Sequence, residues 1–248
     1  MKTAITITAR MKSTRLPKKA MKDLLGKPMI ERIIERVKYA KKADEIILCT
    51  STNPQDDILA TEAKRTRIKC FRGSENDVLK RLLDAAKEYK IDFIASTSGD
   101  NPLADPHYID RLIEKFKETD ADYITCLDLP LGTFSYGVKV SALEKVVSLK
   151  TEKETEIWGV YFKKSNLFKK EELSVEDRLR HPEMRLTVDT PEDFRLMEEI
   201  YKRLNHEGEL FELSEVVDLL EKSPELRSIN ACIIQKTAPE IDMRRLVK

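Results

Sequence analysis

Apolar and polar positions along this 248-residue chain switch repeatedly between a strand-like and a helix-like rhythm. Seven short runs predict strands: Ala4 to Ala9, Glu45 to Thr50, Lys69 to Arg72, Asp92 to Ser98, Asp122 to Leu127, Gly137 to Val140 and Met184 to Val188. Between them, Pro28 to Tyr39 carries Ile30, Ile33, Ile34 and Val37 at helical spacing, and Ile58 to Arg65, Val78 to Tyr89 and Tyr108 to Phe116 repeat the pattern. Asn53-Pro54, Asp105-Pro106 and Thr190-Pro191 each place a capping side chain before a proline, whose missing N–H has no intrahelical partner to lose. A helix with Phe194, Met197 and Ile200 on one face follows the last of these, and a second amphipathic stretch covers Ser214 to Leu220.

Strands alternating with helices predict an α/β fold, with a mostly parallel sheet and helices on both faces. Right-handed crossovers bring the C-terminal ends of such strands to one edge, where ligands of open α/β sheets bind. The segment from about Asp128 to His181 breaks the rhythm with Pro130, Gly132, Gly137 and a Lys/Glu-rich stretch around Trp158, and reads as an insertion. No internal repeat or low-complexity linker divides the chain. Its 41% hydrophobic content suits one domain over residues 1–248, since single cores extend to about 250–300 residues.

Charge narrows the partners. With 45 basic and 44 acidic side chains the net charge is +1, which argues against a general nucleic-acid binder. No run approaches the roughly 18 apolar residues of a membrane span, and the N-terminus shows no signal-peptide pattern, so the expectation is a soluble, cytoplasmic protein. Cys49, Cys70, Cys126 and Cys232 are far apart without a CxxC, and read as reduced core thiols. His107, His181 and His206 are isolated, which disfavours structural zinc. Neither GxGxxG nor GxxxxGK[ST] occurs, so any phosphate handling falls to side chains.

Three segments at predicted strand ends carry candidate chemistry. Arg10-Met11-Lys12-Ser13-Thr14-Arg15-Leu16-Pro17-Lys18-Lys19 packs five cations and two hydroxyls just beyond the first strand. Such a loop can cradle a triphosphate, or can be a solvated basic loop that contains no stacking aromatic for nucleic acid. Ser98-Gly99-Asp100-Asn101-Pro102 puts a carboxylate after a buried strand, either for a hard cation such as Mg²⁺ or as an Asx turn. Asp189, in Arg185-Leu186-Thr187-Val188-Asp189-Thr190-Pro191-Glu192-Asp193, is either a second carboxylate facing Asp100 or part of a turn. Glu192 and Asp193 suit the helix dipole.

Together these segments resemble the cytidylyltransferase superfamily that activates acidic sugars, including the 3-deoxy-manno-octulosonate and acylneuraminate cytidylyltransferases, with the spore-coat polysaccharide biosynthesis protein F branch as the nearest pattern. Five stretches carry the resemblance in order: Ala9 to Pro17 with Lys19; Gly26-Lys27-Pro28-Met29; Phe71 to Leu79; Gly99-Asp100-Asn101-Pro102-Leu103; and Arg185 to Asp193. It implies a nucleotide-diphospho-sugar transferase fold, a Rossmann-like three-layer sandwich, and a homodimer formed with help from the 128–181 segment. It also implies a reaction, in which CTP and a sugar acid give a CMP-sugar and pyrophosphate with Mg²⁺ as cofactor, for polysaccharide biosynthesis. Carried over by position, Ala9, Arg10, Ser13, Arg15 and Lys19 bind the nucleotide, with Arg10, Arg15 and Lys19 on its triphosphate and Arg15 and Lys19 nearest the leaving group, and Asp100 and Asp189 hold the metal. Arg15, Lys19 and Asp100 form the implied catalytic set. Arg72 and Ser74 are further nucleotide-site candidates.

The Glu-His-Val-Thr motif usual in the insertion of the spore-coat branch is replaced here by Thr155-Glu156-Ile157-Trp158-Gly159-Val160-Tyr161. Acceptor identity is therefore the least transferable expectation. Tyr136, Lys139, Arg185 and Trp158 are sugar-pocket candidates, with a core or dimer contact favoured for Trp158. A second reading keeps the fold but takes a sugar-1-phosphate or polyol phosphate with CTP, GTP or UTP, using Lys139 and Lys163-Lys164. A third, a non-catalytic homologue, sits poorly with the intact Arg10, Arg15, Lys19, Asp100 and Asp189. The tail from Thr237 to Lys248 is either a dimer arm or a frayed end.

Overall fold

The structure, a computed structural model, describes residues 1–206 and 209–237. The tail discussed above therefore lies, after Thr237, outside the described residues. Seven strands form one sheet: β1 (Thr3–Thr8), β2 (Glu45–Ser51), β3 (Lys69–Gly73), β4 (Phe93–Ser98), β5 (Tyr123–Thr125), β6 (Tyr136–Lys139) and β7 (Lys170–Glu172). Their order is β3-β2-β1-β4-β6-β5-β7. The first four are mutually parallel, and β6 runs antiparallel between β4 and β5. Two strands of the sheet thus come from the 128–181 segment, which is built into the central layer.

The α-helices are α1 (Met29–Val37), α2 (Asp57–Arg65), α3 (Val78–Tyr89), α4 (Pro106–Thr119), α5 (Val140–Leu149), α6 (Val160–Lys163), α7 (Pro191–Leu204), α8 (Leu213–Lys222) and α9 (Pro224–Ser228). Successive residues of a strand face opposite sides, and the core divides accordingly. Ile5, Ile7, Leu48, Phe93 and Ala95 pack under α1, α2, α4, α7 and α8. Ala4, Ile47, Cys49, Ile94 and Val138 pack under α3, α5 and α6. This is a three-layer α/β sandwich. No helix among the described residues is long and apolar enough to cross a membrane.

All three predicted caps act: Asn53 accepts from Gln55 N at 3.1 Å, Asp105 accepts from Tyr108 N at 3.0 Å, and Thr190 with Asp193 forms a reciprocal capping box. At Asn53 the proline opens a single 3-10 turn (Pro54–Asp56) before α2 begins. The predicted strand at Met184 to Val188 is absent. Its only bridge joins Arg185 to Leu131, and Val188 N donates instead to Asp100 O at 2.8 Å. Gly132 explains why the bridge is tight but short. At φ +101° its backbone lies against Thr187, where a Cβ would come within 2.3 Å of an amide nitrogen. The extended segment is pulled across the strand ends rather than into the ladder.

Candidate active site

The C-terminal ends of β1 and β4 open onto a cleft of about 360 Å³. Gly99 makes the junction possible: its N–H donates to Thr8 O at 2.8 Å, and a Cβ there would lie 2.7 Å from the Ala9 side chain. The basic loop after β1 and the turn after β4 therefore share one wall. Met11 N anchors the loop by donating to Asp56 Oδ1 at 2.7 Å, and Asp56 is itself held by Ser51.

At one end of the cleft lie Arg15, Lys19, Asp100 and Asp189. Lys19 Nζ reaches Asp100 Oδ2 at 2.8 Å, Asp189 Oδ1 at 2.9 Å and Val188 O at 3.0 Å. Arg15 NH2 lies 3.0 Å from the same Asp189 oxygen. Burial by itself depresses Lys19, but the two carboxylates outweigh it and hold the ammonium above its ordinary value. Burial likewise works to raise Asp189, yet Lys19, Arg15 and Arg185 keep it below the usual carboxylate range.

Behind Asp189 stands a supporting cluster. Arg185 NH2 donates to Asp189 Oδ2 at 3.1 Å, and its Nε and NH2 form a fork with Asp193 at 2.8 and 2.9 Å. Asp193 also accepts from Asp189 N at 3.0 Å, Thr190 N at 3.1 Å and Asn230 Nδ2 at 2.9 Å. Arg185 and Asn230 outweigh the burial that would raise Asp193, leaving it low. Asp193 serves the helix start, as expected, but it also positions the Asp189 backbone.

Ala9, Arg10, Ser13, Arg15, Lys19, Asp100 and Asp189 all line the cleft. The other candidates do not. Arg72 turns away from it, donating to Ser51 O and Asn53 O at 2.9 Å each and pairing with Asp57. Ser74 accepts from Asp77 N at 3.1 Å, starting the turn into α3. Lys139 pairs across β4 with Phe93, at the opposite ends of the strands, and its ammonium meets Asp120. Tyr136 stacks with Tyr123 and meets the edge of Trp158. Trp158 is buried in that aromatic cluster, the core role favoured for it. Arg185 acts on Asp189 from behind.

Sequence reasoning passed over Val78, Arg81, Glu156, Ile157, Gln235 and Lys236, which complete the lining. Glu156 pairs with Arg10 at 3.1 Å and with Lys236 at 3.6 Å, so the C-terminal segment and the 128–181 segment meet at the cleft mouth. For Arg81 a signal existed: it is a cation three residues after Val78, on the buried face of an amphipathic helix. The thiols are free, with Cys49 and Cys126 buried and pushed up to about 12 by burial, while Cys232 is exposed rather than in the core.

A cation shared between the Asp100 and Asp189 oxygens is the geometry a hard divalent ion needs from its protein ligands, and the Lys19 ammonium stands in that place. Magnesium is commonly held by one or two carboxylates and completed by water and substrate phosphates, so the donor set fits.

Residues 4–222 match the family described as cytidylyltransferase. The chain is 30% identical over 226 residues to the spore coat polysaccharide biosynthesis protein SpsF of Bacillus subtilis, covering 88% of this chain and 94% of that one. Over 167 residues it is 33% identical to a 3-deoxy-manno-octulosonate cytidylyltransferase of Chloroherpeton thalassium, covering 66% of this chain and 65% of the relative. A solved cytidylyltransferase from Leptospira borgpetersenii superposes with a TM-score of 0.85 at 29% identity, over 95% of this chain and all of that one, 100%. Its α/β sandwich is thus the fold of a solved relative. With nearly its whole described length inside the match, the chain belongs to the cytidylyltransferase family and is a nucleotidyltransferase.

Proposed function

We propose that this nucleotidyltransferase activates a sugar acid with CTP, giving a CMP-sugar and pyrophosphate for surface polysaccharide synthesis. The observation that carries the reading is the Lys19 ammonium shared by Asp100 and Asp189, with Arg15 beside it. Support for the acceptor class comes from the names of the relatives, one a 3-deoxy-manno-octulosonate cytidylyltransferase and one a spore coat polysaccharide protein.

An acceptor hydroxyl attacks the α-phosphorus in line, and negative charge gathers on the departing pyrophosphate. In this reading Arg15 and Lys19 neutralise that charge. The carboxylates keep Lys19 protonated, so it acts as a fixed cation. Arg185 and Asp193 hold Asp189 in register, which leaves the carboxylate pair preorganised. Asp100 and Asp189 are the residues that would hold Mg²⁺. When bound, the ion neutralises phosphate oxygens and lowers the pKa of the attacking hydroxyl. The phosphorylated-acceptor alternative needs further cations near the 128–181 segment, and Lys139, one of those named for it, lies at the far ends of the strands. The proposed setting is the cytoplasm, and the proposed assembly a homodimer.

The test is thermal stabilisation of the purified protein by CTP, UTP, GTP and ATP, each with and without Mg²⁺. Binding to the folded state contributes about 2.7 kcal/mol at a ligand concentration of 100 Kd, which is readily seen. A Mg²⁺-dependent shift selective for CTP is expected, followed by pyrophosphate release with sugar acids. A preference for another nucleotide overturns the reading and directs the search to phosphorylated acceptors.

A further inference from the structure

Arg81, on α3, lines the cleft beside the Ser74–Glu75 turn, and only 2% of it is exposed. Its NH1 donates to Ser74 O at 2.8 Å and, more weakly, to Glu75 O at 3.3 Å. Its Nε is buried without a hydrogen-bond partner, and NH2 makes no hydrogen bond to the described residues. No carboxylate among the described residues comes within ion-pair distance of it. A buried guanidinium with unused donors and no direct ion pair is costly, and such groups are normally paired.

The side chain is also held in place. Gly73, at the end of β3, lies against its stem, where an added Cβ would come within 3.3 Å of Arg81 Cγ. Arg10 NH1 donates to the same Glu75 carbonyl at 3.1 Å. Two guanidinium groups therefore converge on one loop while Val78 and Ala9 supply apolar surface beside them. Arg15 and Lys19 lie apart from this group, beside the carboxylates. An apolar wall with fixed donors suits a planar ring carrying acceptors better than it suits a phosphate.

We propose that Arg81 is the residue that determines base specificity, its NH2 group reading the acceptor edge of cytosine, O2 and N3. This rests on the CTP reading above. Arginine is donor-only, so it donates to the lone pair at cytosine N3 and is mismatched to the N3–H of uracil. Arg72, to which the family resemblance gave a nucleotide role, has its donors committed to Ser51 O, Asn53 O and Asp57. Arg81 takes the position facing the ligand.

The test compares dissociation constants for CTP, UTP and inorganic tripolyphosphate in the wild type, Arg81→Lys and Arg81→Gln, with circular dichroism and melting to confirm the fold. The wild type is expected to prefer CTP to UTP. Both variants are expected to lose roughly ten- to a hundredfold of that preference, the discrimination typical of a guanidinium on a base edge, with tripolyphosphate binding unchanged. Equal weakening of all three ligands, or an unchanged preference, overturns the proposal and leaves Arg81 a loop clamp or phosphate ligand. A wild type without preference for CTP overturns the CTP reading and this inference together. A preference that survives in the variants overturns this inference alone. Should the variants not fold, the wild type decides: 3-deaza-CTP, which has C–H in place of N3, is expected to bind roughly ten- to a hundredfold more weakly than CTP, and equal affinity refutes the assignment.

Discussion

At Lys19 a half-buried ammonium donates to three oxygens, and two of them belong to carboxylates that the chain brings together from residues 100 and 189. Neutralising one carboxylate leaves the geometry in place while removing half of the charge that defines the site. Asp100→Asn is therefore expected to fold normally and to lose on the order of a hundredfold in turnover, as seen when one fixed electrostatic contact to a transition state is removed. Pyrophosphate release checks this, and normal turnover would remove Asp100 from the reacting centre. Cys49 makes the opposite case. It is fully buried, and burial holds its thiol at about 12, so it stays protonated and chemically quiet. Replacing it by serine puts a hydroxyl among apolar neighbours, and Cys49→Ser is expected to cost about 1–3 kcal/mol in urea unfolding. Activity per folded molecule should not change.

Between elements, the close approach of the β1 and β4 ends decides whether the cleft exists. Gly99→Ala places a methyl group 2.7 Å from the Ala9 Cβ and 3.0 Å from Thr8 O, both of them parts of a wall that cannot simply rotate aside. Overpacking of this kind costs roughly 1–3 kcal/mol. The same displacement moves the basic loop relative to Asp100. The variant is expected to show both a lower unfolding midpoint and weaker CTP binding by calorimetry. Destabilisation with unchanged binding would mean that the loop moves independently of β4. Local signals made much of this level readable. Val78 to Tyr89 was delimited by its apolar spacing alone, and Thr190-Pro191 by its capping chemistry, because both depend on neighbours a few residues away. The Met184 to Val188 run misled because β-like composition says nothing about which backbone will accept its hydrogen bonds.

For the molecule as a whole, the charge cluster imposes a pH profile. Asp189 and Asp193 are held below their usual value of 3.8 in the folded state. Their contribution to stability is complete above that value and is lost as pH falls through the lower, folded-state values. Lys19 is held above its usual 10.5, so its contribution is complete below that value and fades as pH rises through the raised one. Melting temperature against pH is expected to be broad and flat between about 4 and 10 from these groups, with losses on both flanks. Asp193→Asn should shrink the acid-side loss relative to wild type. An identical acid limb in the variant would show that other carboxylates carry it.

Much of the fold and of the site is legible in the sequence alone. Strand and helix periods, three working caps, the basic loop and the carboxylates at 100 and 189 are encoded locally, since propensity, capping and chain punctuation act over one or two turns. Parallel crossovers then send those strand ends to one edge, which is why Arg10, Arg15, Lys19, Asp100 and Asp189 could be grouped from their positions alone. Other features depended on packing between distant segments. Only the tertiary structure inserted β6 antiparallel between β4 and β5, carrying Lys139 to the far ends of the strands. Only the tertiary structure spent Arg72 on the carbonyls after β2 and left Arg81 facing the cleft from α3. Two arginines nine residues apart carry the same chemistry in the sequence. Which one meets a ligand depends on how a strand end and a helix pack against each other, a contact no local pattern records.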